Sequence, residues 1–203
     1  MSGTITPEMI KQTTDFHGHW CPGLAIGIRA AEWALKEMGK AGDEEIVAVV
    51  ETDMCGVDAV QYLTGCTFGK GNLIHMDYGK NAFTFYRRRD GKAARLVARP
   101  TDYDEARKTM GKLHAKKQKE GLSDDEQTKW EENRTMISKH IMTSDLKELF
   151  DIKEPTGPAP KKARILSSLI CEACGELVME SRTRRFREQT LCIPCFTKLE
   201  SRI

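Results

Sequence analysis

Glu45-Ile46-Val47-Ala48-Val49-Val50 contains the longest apolar run of the chain, and its reading decides the fold. A continuous, mostly β-branched run of this length predicts a strand covered on both faces. Upstream, Leu24, Ile28, Ala31, Leu35 and Met38 recur at steps of four and three, which is one face of a helix over residues 23–38. Pro22 suits the first helical position, which makes Cys21 the N-cap, and Gly39 suits the C-terminal cap. Downstream, a short helix is expected over about Val57 to Leu63, stopped by Gly65, and then a strand over Asn72 to Asp77. Phe83-Thr-Phe-Tyr-Arg87 and Ala94-Arg-Leu-Val-Ala-Arg99 flank Asp90-Gly91, a tight-turn dipeptide, and predict a hairpin.

Residues 1–100 therefore read as a sheet carrying helices, an α+β core. From Tyr103 to Phe150 the chain becomes charged and helical, with breaks near Gly121 and Thr143. Glu154-Pro-Thr-Gly-Pro-Ala-Pro-Lys-Lys162 forms neither helix nor inner strand and reads as a linker. The expected organisation is a core domain over 1–153 (101–153 mainly helical), a linker over 154–163, and a small domain over 164–203.

The 203 residues are 39% hydrophobic and 31% charged, enough apolar content to bury a core and too much for disorder throughout. No apolar run approaches the roughly 18 residues of a spanning helix. The amino-terminal Met-Ser-Gly-Thr-Ile-Thr lacks the basic-then-apolar layout of a secretory signal, so a soluble, cytoplasmic protein is expected. The net charge of +2 is uneven: residues 1–100 balance, 101–160 are net acidic, and only 161–203 carry a basic surplus.

Four of the seven cysteines form Cys171-Glu-Ala-Cys174 and Cys192-Ile-Pro-Cys195, separated by 17 residues. Zn²⁺ takes four ligands in a tetrahedron, and each Cys-x-x-Cys turn presents two sulfurs to one ion. Gly175 suits a knuckle whose amides point at sulfur. Pro194 suits the first turn of a closing helix through Phe196, Leu199 and Ile203. A piece of this size has too little apolar content to fold by itself, so ion binding would drive its folding. Four unligated thiols are the weaker alternative. The pattern resembles the treble-clef zinc fingers of the DksA/TraR type. Between the pairs, Arg182, Arg184, Arg185 and Arg187 surround Phe186. They read either as a phosphate-contacting patch or, in preference, as local balance for the negative charge of four thiolates on zinc.

His17-Gly-His19-Trp-Cys21-Pro-Gly concentrates two imidazoles and a thiol in five residues. If this stretch is extended, the three side chains point the same way. Imidazole with thiolate suits zinc or iron. Cys55 follows the predicted buried strand and precedes a helix, a junction where sites gather in sheet folds. A second metal site is thus expected from His17 and/or His19 with Cys21 and Cys55, Asp53 and Cys66 being further candidates. With an open coordination position it could bind a small ligand or activate water. Gly65-Cys-Thr-Phe-Gly69-Lys70-Gly71 fails as a phosphate loop: the spacing is one residue short, and Gly71 stands where a Ser/Thr belongs.

With His17-Gly-His19-x-Cys21-Pro-Gly, Cys55-Gly-Val-Asp58-Ala, Thr64-Gly-Cys-Thr-Phe-Gly-Lys-Gly-Asn-Leu73 and Asp77-Tyr-Gly-Lys80-Asn-Ala-Phe83 in this order, the chain resembles the FmdE family. That family takes its name from the FmdE component of formylmethanofuran dehydrogenase. The resemblance implies an α+β core, to which some members append a zinc finger. It also implies association with the molybdenum or tungsten dehydrogenase that reversibly reduces carbon dioxide onto methanofuran in methanogenesis. It does not imply that this chain performs the redox step, because no dense Cys-x2-Cys-x2-Cys spacing of an iron–sulfur centre is present. Whether the chain is an enzyme stays open. The expectation is a metal-binding protein with structural zinc at Cys171, Cys174, Cys192 and Cys195 and a second zinc or other transition metal at His17, His19, Cys21 and Cys55. It would work as a homodimer or with other dehydrogenase subunits and without a membrane. The competing expectation is a zinc-finger regulatory or nucleic-acid-binding protein whose core is a dimer scaffold.

Overall fold

The computed structural model describes residues 4–40, 42, 45–100 and 104–201. The chain divides into two compact units, Met1–Lys162 and Ala163–Ile203.

The first unit opens with α1 (Pro7–His17), where Thr6 caps the helix by accepting the Met9 N–H at 3.2 Å and Pro7 occupies the first turn. No helix was expected here; its marks are local and polar, Thr6-Pro7 at the start and the left-handed Gly18 at the end. Next come α2 (Pro22–Met38), β1 (Ile46–Val50), α3 (Gly56–Thr64), β2 (Leu73–His75), β3 (Ala82–Arg87) and β4 (Ala93–Ala98). They are followed by α4 (Asp104–Lys119), α5 (Asp124–Thr143), α6 (Leu146–Leu149) and β5 (Phe150–Lys153). Tyr103, with which the helical region was expected to begin, lies outside the described residues.

The five strands form one sheet in the order β2-β1-β3-β4-β5. β1–α3–β2 is a parallel crossover, and the other pairings are antiparallel. Two details differ from expectation. The β3–β4 connection is a wider loop, in which the Arg87 N–H donates to Lys92 O and the Gly91 N–H to Arg87 O. The helical region closes with an edge strand, β5, whose Phe150 and Ile152 alternate with Asp151 and Lys153 along the ladder to β4.

Alternation assigns the two faces. Ile46, Ala48, Val50, Phe83, Phe85, Leu96 and Phe150 point toward the helices and pack with Ala30 and Ala34 of α2 and Ile137 and Ile141 of α5. Val47 and Tyr86, paired across the opposite face, are also buried. Residues 155–160 help to cover that face: Tyr86 Oη donates to Gly157 O at 3.4 Å, and Arg88 donates to Pro160 O at 2.7 Å. The proline-rich segment is thus tied to the sheet at two points, which a proline-rich sequence by itself does not disclose.

α2 and α3 cross through glycine. A Cβ on Gly27 would fall 2.2 Å from Gly56 O, and one on Gly56 would lie 3.1 Å from Gly23 O. Only side-chain-free backbone permits this approach, and it brings the start of α3 against the first turns of α2.

The second unit has two hairpins and a helix. They are β6 (Ser168–Ile170) with β7 (Leu177–Met179), β8 (Thr183–Phe186) with β9 (Gln189–Cys192), and α7 (Ile193–Glu200). Its small core is Cys171, Leu191 and Cys192, against which Val178, Phe186 and Phe196 pack. Ile203, expected in the closing helix, lies outside the described residues.

Candidate metal centres

His17 is the last residue of α1, and Gly18 then turns the chain with φ of +90°. The stretch is therefore not extended. A helix–turn–helix corner, not strand alternation, brings His19 beside His17, with ring centroids 4.4 Å apart. Cys21 is the N-cap of α2 and its Sγ accepts the Leu24 N–H at 3.3 Å, which fixes the thiol at the helix start. Cys55 immediately precedes α3, which the glycine crossing presses onto α2; a Cβ on Gly23 would lie 3.3 Å from Cys55 Cβ and 3.9 Å from Cys21 Sγ.

One donor atom from each of His17, His19, Cys21 and Cys55 then lies within 4.8 Å of all the others. Thiolates about 2.3 Å from an ion at tetrahedral angles stand roughly 3.8 Å apart, so small side-chain movements close the shell. Asp58, in the first turn of α3, receives a hydrogen bond from His17 Nδ1 at 2.7 Å. That contact leaves Nε2 as the free ring nitrogen, and among the described residues the buried Nε2 has no hydrogen-bond partner. A carboxylate on one imidazole nitrogen and a vacant second nitrogen facing thiols is the arrangement that orients a ligating histidine. Desolvation, followed by the fields of His17 and Arg134, lowers the His19 pKa and favours the neutral, ligating imidazole. Burial and the adjacent Cys21 push the Cys55 thiol up, so a cation is what would draw the proton off.

Of the two further candidates, Cys66 is fully buried and donates to Ile46 O at 3.4 Å, filling core space outside the cluster. Asp53 is exposed on the loop after β1 and is not in the donor set. Asp58 is the functional residue the sequence reading missed as a site member; its place three residues beyond Cys55, in the first turn of a helix, was the available signal.

In the second unit, Cys171, Cys174, Cys192 and Cys195 also bring their sulfurs within 4.8 Å of one another, and Cys174 Sγ is 4.0 Å from Cys192 Sγ. Gly175, with φ of +76°, donates to Cys171 O at 2.8 Å, closing the knuckle. The Cys192 N–H points at Cys171 Sγ at 3.3 Å. Amides of Cys192 and Cys174 draw the Cys171 thiol down to about 6, while hydrogen bonding to the Cys192 and Cys174 sulfurs pushes Cys195 up to about 12. Four sulfurs that cannot all ionise without a cation fit a closed zinc shell. Arg182 and Arg184 donate to neighbouring backbone carbonyls and Arg185 to the Thr190 hydroxyl.

An α+β unit with a mixed imidazole–thiol cluster, joined to a four-cysteine finger, defines a metal-binding class of protein. Residues 16–151 match the family described as FmdE, molybdenum formylmethanofuran dehydrogenase operon, and residues 164–201 match the prokaryotic dksA/traR C4-type zinc finger. The chain belongs to the FmdE family. It is 33% identical over 202 residues to a probable S-adenosyl-L-methionine-binding protein of Archaeoglobus fulgidus, covering 93% of this chain and 52% of the relative. The chain thus spans about half the length of the curated relative it matches. Its fold is similar to the crystal structure of an FmdE-like protein of the tungsten formylmethanofuran dehydrogenase type from Syntrophus aciditrophicus. The TM-score is 0.57 at 23% identity, with 96% of this chain and 93% of that chain covered.

Proposed function

We propose that the chain carries two metal ions with different tasks: a structural zinc in the finger and a ligand-binding transition metal, zinc being the first candidate, in the core. The observation that carries the core assignment is the buried, unpartnered Nε2 of His17 beside the Cys21 and Cys55 thiols, with Asp58 behind the ring. His17 and Cys55 are held by partners and packing. His19, the exposed member of the set, has the greater freedom to move. A Lewis-acidic centre is what a metal would supply there. Asp58 fixes the His17 tautomer, and the α2 N-terminus steadies Cys21. Metal content per folded chain tests the reading: two ions in the wild type and one in Cys21→Ser. One ion in both would refute the core site.

Family membership supports a finer proposal, an accessory role beside a molybdenum or tungsten formylmethanofuran dehydrogenase in one-carbon metabolism. Co-purification with large dehydrogenase subunits is the test, and a chain that elutes without them refutes it.

A second reading, polyanion binding by the finger, is favoured by one specific observation. Among the described residues, no carboxylate lies within ion-pair distance of Arg182, Arg184, Arg185 or Arg187, so these charges are not consumed locally. Nucleic-acid binding whose affinity falls steeply with salt, and which is lost when all four are changed to alanine, would support it; no binding at low salt would remove it.

A further inference from the structure

We propose that a cavity beside the core cluster is the ligand pocket of that site, that it takes a small neutral or cationic molecule such as an amine or azole, and that His75 contacts the ligand from the far wall. This rests on the core metal reading above. The cavity, of about 450 Å³, has His17 and Cys55 among its lining residues, so two of the four donors are open to it. Its size falls in the range of small-molecule pockets.

The opposite wall comes from the sheet. His75 pairs with Val50 across the parallel β1–β2 ladder and sits two residues beyond Leu73, so its side chain emerges on the face that Val50 and Leu73 present to the helices. At the open end of β2 this direction carries it into the cavity that His17 also lines. Among the described residues the His75 imidazole has no hydrogen-bond partner, and no packing role explains an exposed histidine on the otherwise apolar face of that strand.

The lining sets the ligand class. Val50, Val57, Leu73 and Met54 give apolar walls, while the charged groups are the carboxylates of Asp53 and Asp58; no lysine or arginine is among the lining residues. A carboxylate or phosphate ligand would meet acidic groups and thiolates and no countercharge, whereas a neutral nitrogen donor or an ammonium group would not. His75 then supplies one hydrogen bond to the polar end of a molecule whose apolar body rests on the valines and leucine.

Cobalt(II) in place of zinc gives each site a visible band, and Cys55→Ser identifies the core contribution by difference. Imidazole and propylamine should shift the core band saturably, while acetate and phosphate at equal concentration leave it in place. His75→Ala, at an exposed position, should weaken imidazole binding about five- to tenfold, the size of one lost hydrogen bond. Val57→Phe, which intrudes on the cavity, should abolish it. Equal response to acetate, or unchanged imidazole affinity in His75→Ala, would overturn the proposal even if Val57→Phe failed to fold. A wild-type spectrum identical to that of Cys55→Ser would instead remove the core metal reading on which it rests.

Discussion

Nδ1 of His17 lies 2.7 Å from Oδ2 of Asp58, although the two residues are 41 apart in sequence and sit on different helices. The contact ties the end of α1 to the first turn of α3 and aims the free nitrogen at the thiols. Asp58→Asn retains the shape but loses the charge that orients and polarises the ring. The expected result is a core-metal affinity lower by about 10- to 100-fold with the finger unaffected. Competition titration with a chromophoric chelator reads both sites.

Gly27→Ala places a methyl where Gly56 O stands, at an ideal separation of 2.2 Å. Backbone cannot yield as a side-chain tip can, so a loss of roughly 2–3 kcal/mol is expected. The same change pushes α3 from α2 and spreads Cys21 from Cys55. Denaturant melting should show the first effect and metal content the second.

Arg95 holds Glu51 by two hydrogen bonds, at 2.5 and 2.8 Å, and the Glu51 side chain is 8% exposed. The Arg95 contact outweighs desolvation and depresses the Glu51 pKa. A depressed folded-state value means stability that is full above the unfolded value, about 4.3, and lost as pH falls through the folded one. Arg95→Met, which leaves the carboxylate buried and alone, should cost about 3 kcal/mol near neutrality. In that variant the Glu51 contribution reverses, so stability should no longer fall with acid in this window; thermal melting between pH 3 and 7 checks the sign.

Removal of metal should separate the two units. The finger core is Cys171, Leu191 and Cys192 with a few partners, whereas the first unit has a large apolar core of its own. Chelation is expected to disorder the finger and leave the helical signal of the first unit largely in place. Amide NMR spectra before and after chelation distinguish this from global unfolding.

Periodicity made α2, β1, α3 and the β3–β4 hairpin legible, because each buries one face or both and writes that burial into its residue pattern. The finger was legible for a different reason: its four ligands are local pairs at metal spacing. α1 was not, since its one buried residue is Thr13 and its face is polar. The donor set in the core was read correctly from the wrong backbone. His17, His19 and Cys21 converge through a left-handed glycine at a helix corner, and Cys55 arrives through the Gly27–Gly56 crossing, a tertiary contact that no local pattern encodes. Asp58 was invisible as a site member for the same reason, because its partner lies on another helix.

Zinc K-edge X-ray absorption of the zinc-loaded protein is the most direct measurement of the core site. A four-sulfur finger together with a two-nitrogen, two-sulfur core gives an average shell of three sulfurs at about 2.3 Å and one nitrogen at about 2.0 Å, reverting to all sulfur in Cys21→Ser. An all-sulfur shell in the wild-type protein, with a single zinc per chain, would contradict a metal centre at His17, His19, Cys21 and Cys55.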